Sequence, residues 1–437
     1  MLGVNFTLDT ETKLSLTYLG KWTILALLAG VIGSVVVHSF SYLLHSIRFF
    51  ITGSGFPLWV WPVAGAAIVG GIVYKLQPQS AGEGVPSYIR GIRVNQGKLD
   101  LSETFYKFWA ALLTLATFGS GGILGPLGRV TAGLMSFIEG KVNNIYQVFD
   151  KHDQRTAAIC GMAAAIGTIF HSSIGAGIFA VEIIQRKNMG YRDLFPSLLS
   201  SATAVFVCKS IGWESFYQFR TINTFMDVHK IGWLFLLAVT TGVVGAFYTT
   251  LYGKICKIFK RNKGNVFIKV IIGTIFAFGI AWAVNPELWG TSKHIISSLF
   301  TNDMSIVTGR LSSMPIVPAI LLIIVLKILC NCITVGSGMS AGFAGPMIIV
   351  GMLLGVVISR MANVEGLSPT YYAFLAAGFA GMLASAMNVP LAAAVMAIEV
   401  FGIQYSFPAG FSAIVGFQVT RHRTIYDFAL EEFAIKD

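Results

Sequence analysis

Apolar runs long enough to cross a bilayer recur along the whole chain, for example at 22–37, 58–73, 231–250, 266–284 and 316–333. Others, such as 156–170 and 171–184, abut across polar breaks. The pattern predicts about a dozen or more membrane helices, several of them short or tilted. Two longer polar excursions interrupt it, 212–230 and 285–314, and the first is the better linker. The organisation expected is an N-terminal cytoplasmic segment at 1–20, a first membrane half at 21–215 and a second at 216–437. These form one transmembrane domain with no soluble regulatory domain.

The two halves share a plan. Residues 119–129 read GSGGILGPLGR and residues 336–346 read GSGMSAGFAGP, an offset of 336 − 119 = 217. The same offset, without a gap, carries 163–184 (AAAIGTIFHSSIGAGIFAVEII) onto 380–401 (AGMLASAMNVPLAAAVMAIEVF). Gly125 falls on Gly342, and Glu182 on Glu399. Transporters and channels build midplane ion sites from such paired, glycine-broken segments.

Composition narrows the class. The chain is 55% hydrophobic and 12% charged, with mean hydropathy +0.72; a soluble domain carries about 25% charged residues. Residues 1–21 are polar and of mixed charge, so no cleavable signal is expected. The net charge of +11 reads as topology, and no nucleic-acid partner is implied. Lys254, Lys257, Lys260, Arg261 and Lys263 crowd one loop; Arg186, Lys187 and Arg192 follow Glu182; Arg421 and Arg423 precede the last segment. Basic loops stay cytoplasmic; for 254–263 the alternative is a lipid-binding patch. Cys160, Cys208, Cys256, Cys330 and Cys332 lie in or beside apolar stretches without metal spacing, which suits packing. No metal and no cofactor is expected.

Glycine frees the backbone and proline removes a donor, so GSGGILGPLGR should break a helix. Such a break is tolerated in a membrane only where the freed groups face protein or a water-filled site. A helix restarting there presents N–H groups and the positive end of its dipole, which suits an anion. The alternative is that the glycines only let helices pack closely.

Three stretches then resemble, in order, the motifs of the CLC family of chloride channels and proton-coupled anion transporters. Gly82-Glu83-Gly84-Val85-Pro86 is similar to that family's G-S-G-I-P, and Gly125-Pro126-Leu127-Gly128-Arg129 stands in the place of G-R-E-G-P. Gly342-Phe343-Ala344-Gly345-Pro346 is similar to G-x-F-x-P. Tyr426, in RTIYDFAL, completes the set. The resemblance spans roughly 60–430. It implies an all-α, CLC-type inverted-repeat bundle whose broken helices meet at the midplane. It also implies a homodimer embedded in membrane lipid, with one pore per subunit and small anions, chloride first, as the cargo. The anion-binding positions carried over are Glu83, Gly84, Leu127, Gly128, Gly342, Phe343, Ala344 and Tyr426. The N–H groups of Phe343 and Ala344 would face a central anion, and the Tyr426 hydroxyl would close it from the cytoplasm. An interfacial aromatic anchor is the other role for Tyr426, and Tyr405 is a weaker candidate for the same position.

The departures matter as much. The gating-glutamate position of the resemblance is Leu127, which can neither carry a proton nor compete as an anion. Pro126 stands where a backbone donor would be. The inner proton-relay position, after Glu182, is Ile183. Conversely, Glu83 stands where a serine hydroxyl is usual. Its carboxylate would repel chloride when charged, and could donate a hydrogen bond or act as a displaced gate when protonated. The alternative turns it to cytoplasmic water, paired with Arg90 or Arg93.

Other charges in apolar runs are site candidates by default. Glu182 and Glu399 are repeat-related, which suits capping of helix ends. Lys327 either snorkels or adds positive potential to an anion path. His171, opposite Asn388, reads as a polar helix-break residue. An intramembrane hydrolase built on Ser337 and His171 is the remote alternative, disfavoured because Ser120 duplicates the serine. The sequence therefore reads as an anion channel or passive transporter in a prokaryotic plasma membrane. The alternatives are a proton-coupled antiporter with Glu83 as replacement gate, or a transporter of a different anion.

Overall fold

The computed structural model describes residues 10–146, 153–184, 191–219, 225–261 and 265–434. Arg186, Lys187 and Lys263 of the basic loops, and residues 1–9 of the N-terminal segment, lie outside the described residues. In the first half the helices are α1 (Thr10–Gly53), α2 (Val60–Gly71), α3 (Val85–Arg93), α4 (Leu101–Ala116), α5 (Leu124–Tyr146), α6 (Asp153–Phe170), α7 (Ile174–Glu182) and α8 (Tyr191–Ile211). The second contains α9 (Ile231–Arg261), α10 (Val266–Val284), α11 (Lys293–Thr301), α12 (Met304–Thr308), α13 (Ile316–Gly336), α14 (Ala344–Met361), α15 (Pro369–Met387), α16 (Pro390–Phe401) and α17 (Ser406–Thr420). A last helix, α18 (Asp427–Ala434), follows Tyr426. Seven helices are long and apolar enough to span a membrane, and no β-strand is formed among the described residues. The protein is a multi-pass, all-α membrane protein.

The 217-residue offset orders these helices. Added to the bounds of α4, α5, α6 and α7, it lands on α13, α14, α15 and α16 within a few residues, and the start of α8 lands at the start of α17, which is the shorter helix. Glu182 ends α7, and its carboxylate accepts the N–H groups of Leu391 (3.1 Å) and Ala392 (2.7 Å) at the start of α16. Glu399, near the end of α16, accepts from Ser173, Ile174 and Gly175 at the start of α7, at 2.9–3.0 Å, and from the Ser172 hydroxyl. Each carboxylate sits at the positive end of the other helix's dipole. Such an exchange, in which i meets j′ and j meets i′, is the mark of a two-fold axis. Because α7 and α16 run antiparallel, that axis crosses them. This is the inverted repeat, and the symmetric glutamates are helix caps.

The core lies where the repeats meet. Helix α15 and most of α14 are fully enclosed by protein, whereas α10 and parts of α1 and α9 expose Ile24, Phe235, Phe276 and Trp282. Small residues let the buried helices touch: a Cβ at Gly378 would overlap the Gly351 carbonyl, and one at Gly161 would overlap the Thr131 carbonyl. Gly161 and Gly378 are themselves 217 apart.

The linker between halves departs from its polar composition. Tyr217 is 1% exposed and stacks on Phe170 at 5.5 Å, and Phe219 packs on Phe379 and Phe401. An averaged stretch hides two aromatics that fold back into the core. Its residues 220–224 lie outside the described residues.

Candidate anion site

The two breaks pair with each other at the centre. Gly122 and Gly342 exchange both backbone hydrogen bonds, at 2.8 and 2.7 Å. The carboxamide of Asn331, on α13, donates to the carbonyls of Ser120 (3.0 Å) and Gly342 (3.3 Å), and accepts from the Tyr248 hydroxyl. Thr334 Oγ1 accepts from the Ser120 N–H, and Thr114 Oγ1 from the Ser340 N–H. The backbone groups freed by the breaks are thus largely met by protein, as a membrane interior requires.

Glu83 occupies the place where helix N-termini converge. It precedes α3, and its Oε2 accepts the Val85 N–H at 2.6 Å. The Phe343 N–H, at the start of α14, faces the same carboxylate without completing a hydrogen bond. A Cβ on Gly125, in the first turn of α5, would overlap Glu83 Oε1. Three helix starts therefore surround one carboxylate, which stands where an anion would be held. Glu83 is buried, and Oε1 has no hydrogen-bond partner among the described residues. The pairing of Glu83 with Arg90 or Arg93 is not formed; Arg93 donates to the Ile184 carbonyl instead.

A cavity of about 300 Å³ leads to Glu83, lined by Gly82, Glu83, Tyr252, Lys260, Phe343 and Tyr426 among others. Tyr426 is 1% exposed, and its hydroxyl has no partner among the described residues. Lys260, from the basic loop that the sequence reading expects on the cytoplasmic side, is part of this lining. Tyr405, by contrast, is buried between α16 and α17, away from this lining.

The other carried-over positions do not line this cavity. Gly84 packs its backbone against the Gly125 carbonyl. Leu127 is fully buried in the main core, and its N–H is taken by the Ile123 carbonyl at 3.0 Å. Gly128 faces Met162, Gly342 is held in the Gly122 pair, and Ala344 begins α14. Lys327 does not snorkel: it is fully buried, donating to Ser120 Oγ (2.9 Å), Ser292 Oγ (2.5 Å) and the Leu288 carbonyl (3.2 Å). Ser337 Oγ donates to the Thr334 carbonyl. With Ser120 Oγ on Lys327, neither serine has an imidazole partner. His171 adopts φ 52° at the break between α6 and α7, as Asn388 does (φ 57°) between α15 and α16.

One cluster was not read from the sequence. Lys107, on α4, is fully buried and donates to the consecutive carbonyls of Ser80, Ala81 and Gly82, at 3.1, 3.1 and 2.8 Å. Three ammonium donors on three carbonyls fold the loop that ends at Glu83. One turn earlier, Glu103 pairs with Arg129 of α5 at 2.7 Å. Arg129 also donates to Ser87 Oγ and Thr104 Oγ1, both at 3.0 Å. The available signal was Asp100-Leu101-Ser102-Glu103, a capping-box pattern that predicts a surface helix start. Asp100 does cap α4, but Glu103 turns inward.

The sequence profile of a family described as voltage gated chloride channel matches residues 65–421. An uncharacterised protein of Methanocaldococcus jannaschii is 25% identical over 419 residues, covering 93% of this chain and 95% of that protein. A chloride/fluoride channel protein of Pseudomonas syringae pv. tomato is 24% identical, covering 94% and 86%. An H(+)/Cl(-) exchange transporter of Vibrio parahaemolyticus is 24% identical, covering 81% and 74%. Among solved structures, a CLC-type fluoride/proton antiporter aligns with a TM-score of 0.80 at 21% identity, covering 94% of this chain and 98% of that one. A slow cyanobacterial Cl-/H+ antiporter aligns with a TM-score of 0.79 at 17% identity, covering 96% and 99%.

Proposed function

We propose that this chain, which belongs to the CLC family of voltage gated chloride channels, passes small anions across the membrane under the control of a proton on Glu83. One observation carries the reading: the Glu83 carboxylate fills the point where α3, α5 and α14 begin. Charged, it competes with an anion for the same N–H groups. Protonated, it no longer satisfies those helix ends, and a free anion takes its place. The exchange keeps the charge of the buried site constant, which limits its desolvation cost. Tyr426 then supplies a hydroxyl donor from the cytoplasmic side, and Leu127 leaves no second titrating gate on α5.

The relatives' names span chloride, fluoride and protons, so the test compares them. Purified protein in liposomes is loaded with chloride or fluoride, and efflux is followed with a pH probe inside. Flux should rise as pH falls and become fast and pH-independent in Glu83→Gln, which keeps the shape but cannot titrate. A Glu83→Gln protein with the wild-type pH response would overturn the reading. We take the assembly as a homodimer with one pore per subunit in a prokaryotic plasma membrane. A detergent-corrected mass of two chains checks the dimer.

A further inference from the structure

A second cavity, of about 640 Å³, is lined in part by Ser215, Phe216 and Gln218 of the linker between the halves. Tyr217 stands among these residues in the chain but is absent from that lining and is 1% exposed. Its hydroxyl lies against the first turn of α14, where a Cβ on Gly345 would fall 2.2 Å from it. The same Cβ would stand 3.3 Å from Gly122 Cα, so the hydroxyl reaches the seam where the two breaks pair. Phe343, the residue that precedes α14, lines the Glu83 cavity. Tyr217 therefore stands in the wall between the two cavities, with its chain neighbours in one lining and its oxygen two residues from the other.

The backbone there is pinned: Ser215 Oγ donates to the carbonyls of Tyr217 and Ile169, both at 2.9 Å. The ring stacks on Phe170 at 5.5 Å and meets Phe216 edge-on at 5.0 Å. The hydroxyl has no hydrogen-bond partner among the described residues. A buried hydroxyl left unpaired is costly, and a phenylalanine would fill the same space without that cost, so packing does not account for the oxygen. The first N–H groups of a helix also lack an intrahelical acceptor and carry the positive end of its dipole. Donors are gathered at this turn, and what would complete it is an acceptor.

Resting on the Glu83 reading, we propose that Tyr217 is a second gate in the anion path. Its ring walls the larger cavity off from α14, and when the ring swings aside its hydroxyl hands a halide-sized anion to the helix start. Glu83 closes the path by charge, whereas Tyr217 closes it by bulk and carries no charge near neutral pH. The two barriers act in series, so their effects on flux multiply.

The test reads chloride efflux from liposomes holding the full-length protein, across a pH series. Tyr217→Phe keeps the ring and removes the donor; it should slow efflux about ten-fold at every pH, the size of one lost hydrogen bond to an ion. Tyr217→Ala removes the ring and should raise efflux several-fold, again by one factor throughout the series. Glu83→Gln/Tyr217→Phe should be slower than Glu83→Gln by the same factor as Tyr217→Phe is slower than wild type. Wild-type efflux in Tyr217→Phe would show that the hydroxyl meets no anion and would overturn the proposal. So would folded Tyr217→Ala with efflux at or below wild type, or a shifted pH midpoint in either variant, which would put Tyr217 on the titration of Glu83. Should Tyr217→Ala fail to fold, Tyr217→Phe decides, since it deletes only an unpaired oxygen. The Glu83 reading keeps its own test, the pH response of Glu83→Gln, whichever way Tyr217 falls.

Discussion

At the scale of single residues, the centre of the molecule is a contest for a few N–H groups. Glu83 wins it in this structure because its own loop, tied by Lys107, delivers a carboxylate to three helix starts. Gly125 makes room for that carboxylate. Gly125→Ala should therefore displace it and raise halide efflux at neutral pH toward the Glu83→Gln rate; flux at or below wild type in folded protein would count against this. Tyr426 carries a buried hydroxyl with nothing to bond among the described residues, so its deletion leaves the resting fold little changed. Tyr426→Phe should bind halide roughly ten-fold more weakly, the loss of about 1.5 kcal/mol from a hydrogen bond to a charged group. Titration calorimetry at low pH measures it, and unchanged affinity would remove Tyr426 from the site. That Glu83 and Tyr426 would come together was expected from the motif resemblance, and the two do line one cavity. The roles of Lys107, Glu103 and Arg129 were not, because a capping-box acid and a lone lysine two turns into a helix look solvated. Only the turn of α4 toward α5 buries them.

At the scale of helices, the offset of 217 residues foretold more than any single span. It ordered the major helices of both halves and marked Glu182 and Glu399 as caps. Where an averaged pattern was all there was to read, as across 212–219, it missed Tyr217, whose burial depends on the groove between α6 and α14. Removing a cap leaves helix-start N–H groups unpaired, at about 1–3 kcal/mol for each that is buried. Glu399→Ala should therefore destabilise the protein more than Glu182→Ala, since it frees three N–H groups rather than two. Thermal unfolding in detergent gives the order, and the reverse order would show that burial outweighs the bond count. The crossing of α14 and α15 rests on backbone contact at Gly378. Gly378→Leu should abolish assembly of folded protein, detected as loss of a monodisperse peak in detergent.

At the scale of the whole molecule, the two inverted halves hold two separate cavities, the one at Glu83 with Lys260 in its lining and a broader vestibule. That vestibule, of about 640 Å³, is ringed by His38, His45, Arg48, Lys293 and His294, with His38 stacked on Trp213 at 4.0 Å. Glu214 and Glu287 share that lining with Arg48 and Lys293, so its fixed charges balance, and efflux should respond only weakly to salt at fixed gradient, which ionic-strength titration checks. The mutual pairing of Gly122 with Gly342 has a mechanical corollary. Two lobes that rock apart need a seam, and here the seam is stitched by main chain at its midpoint, reinforced by Asn331. A seam so tied predicts turnover by the swing of side chains over a stationary frame. Deuterium uptake in 119–124 and 338–344 should stay as slow during transport as at rest, and the protein should work like a latch in a fixed doorway rather than a pair of doors.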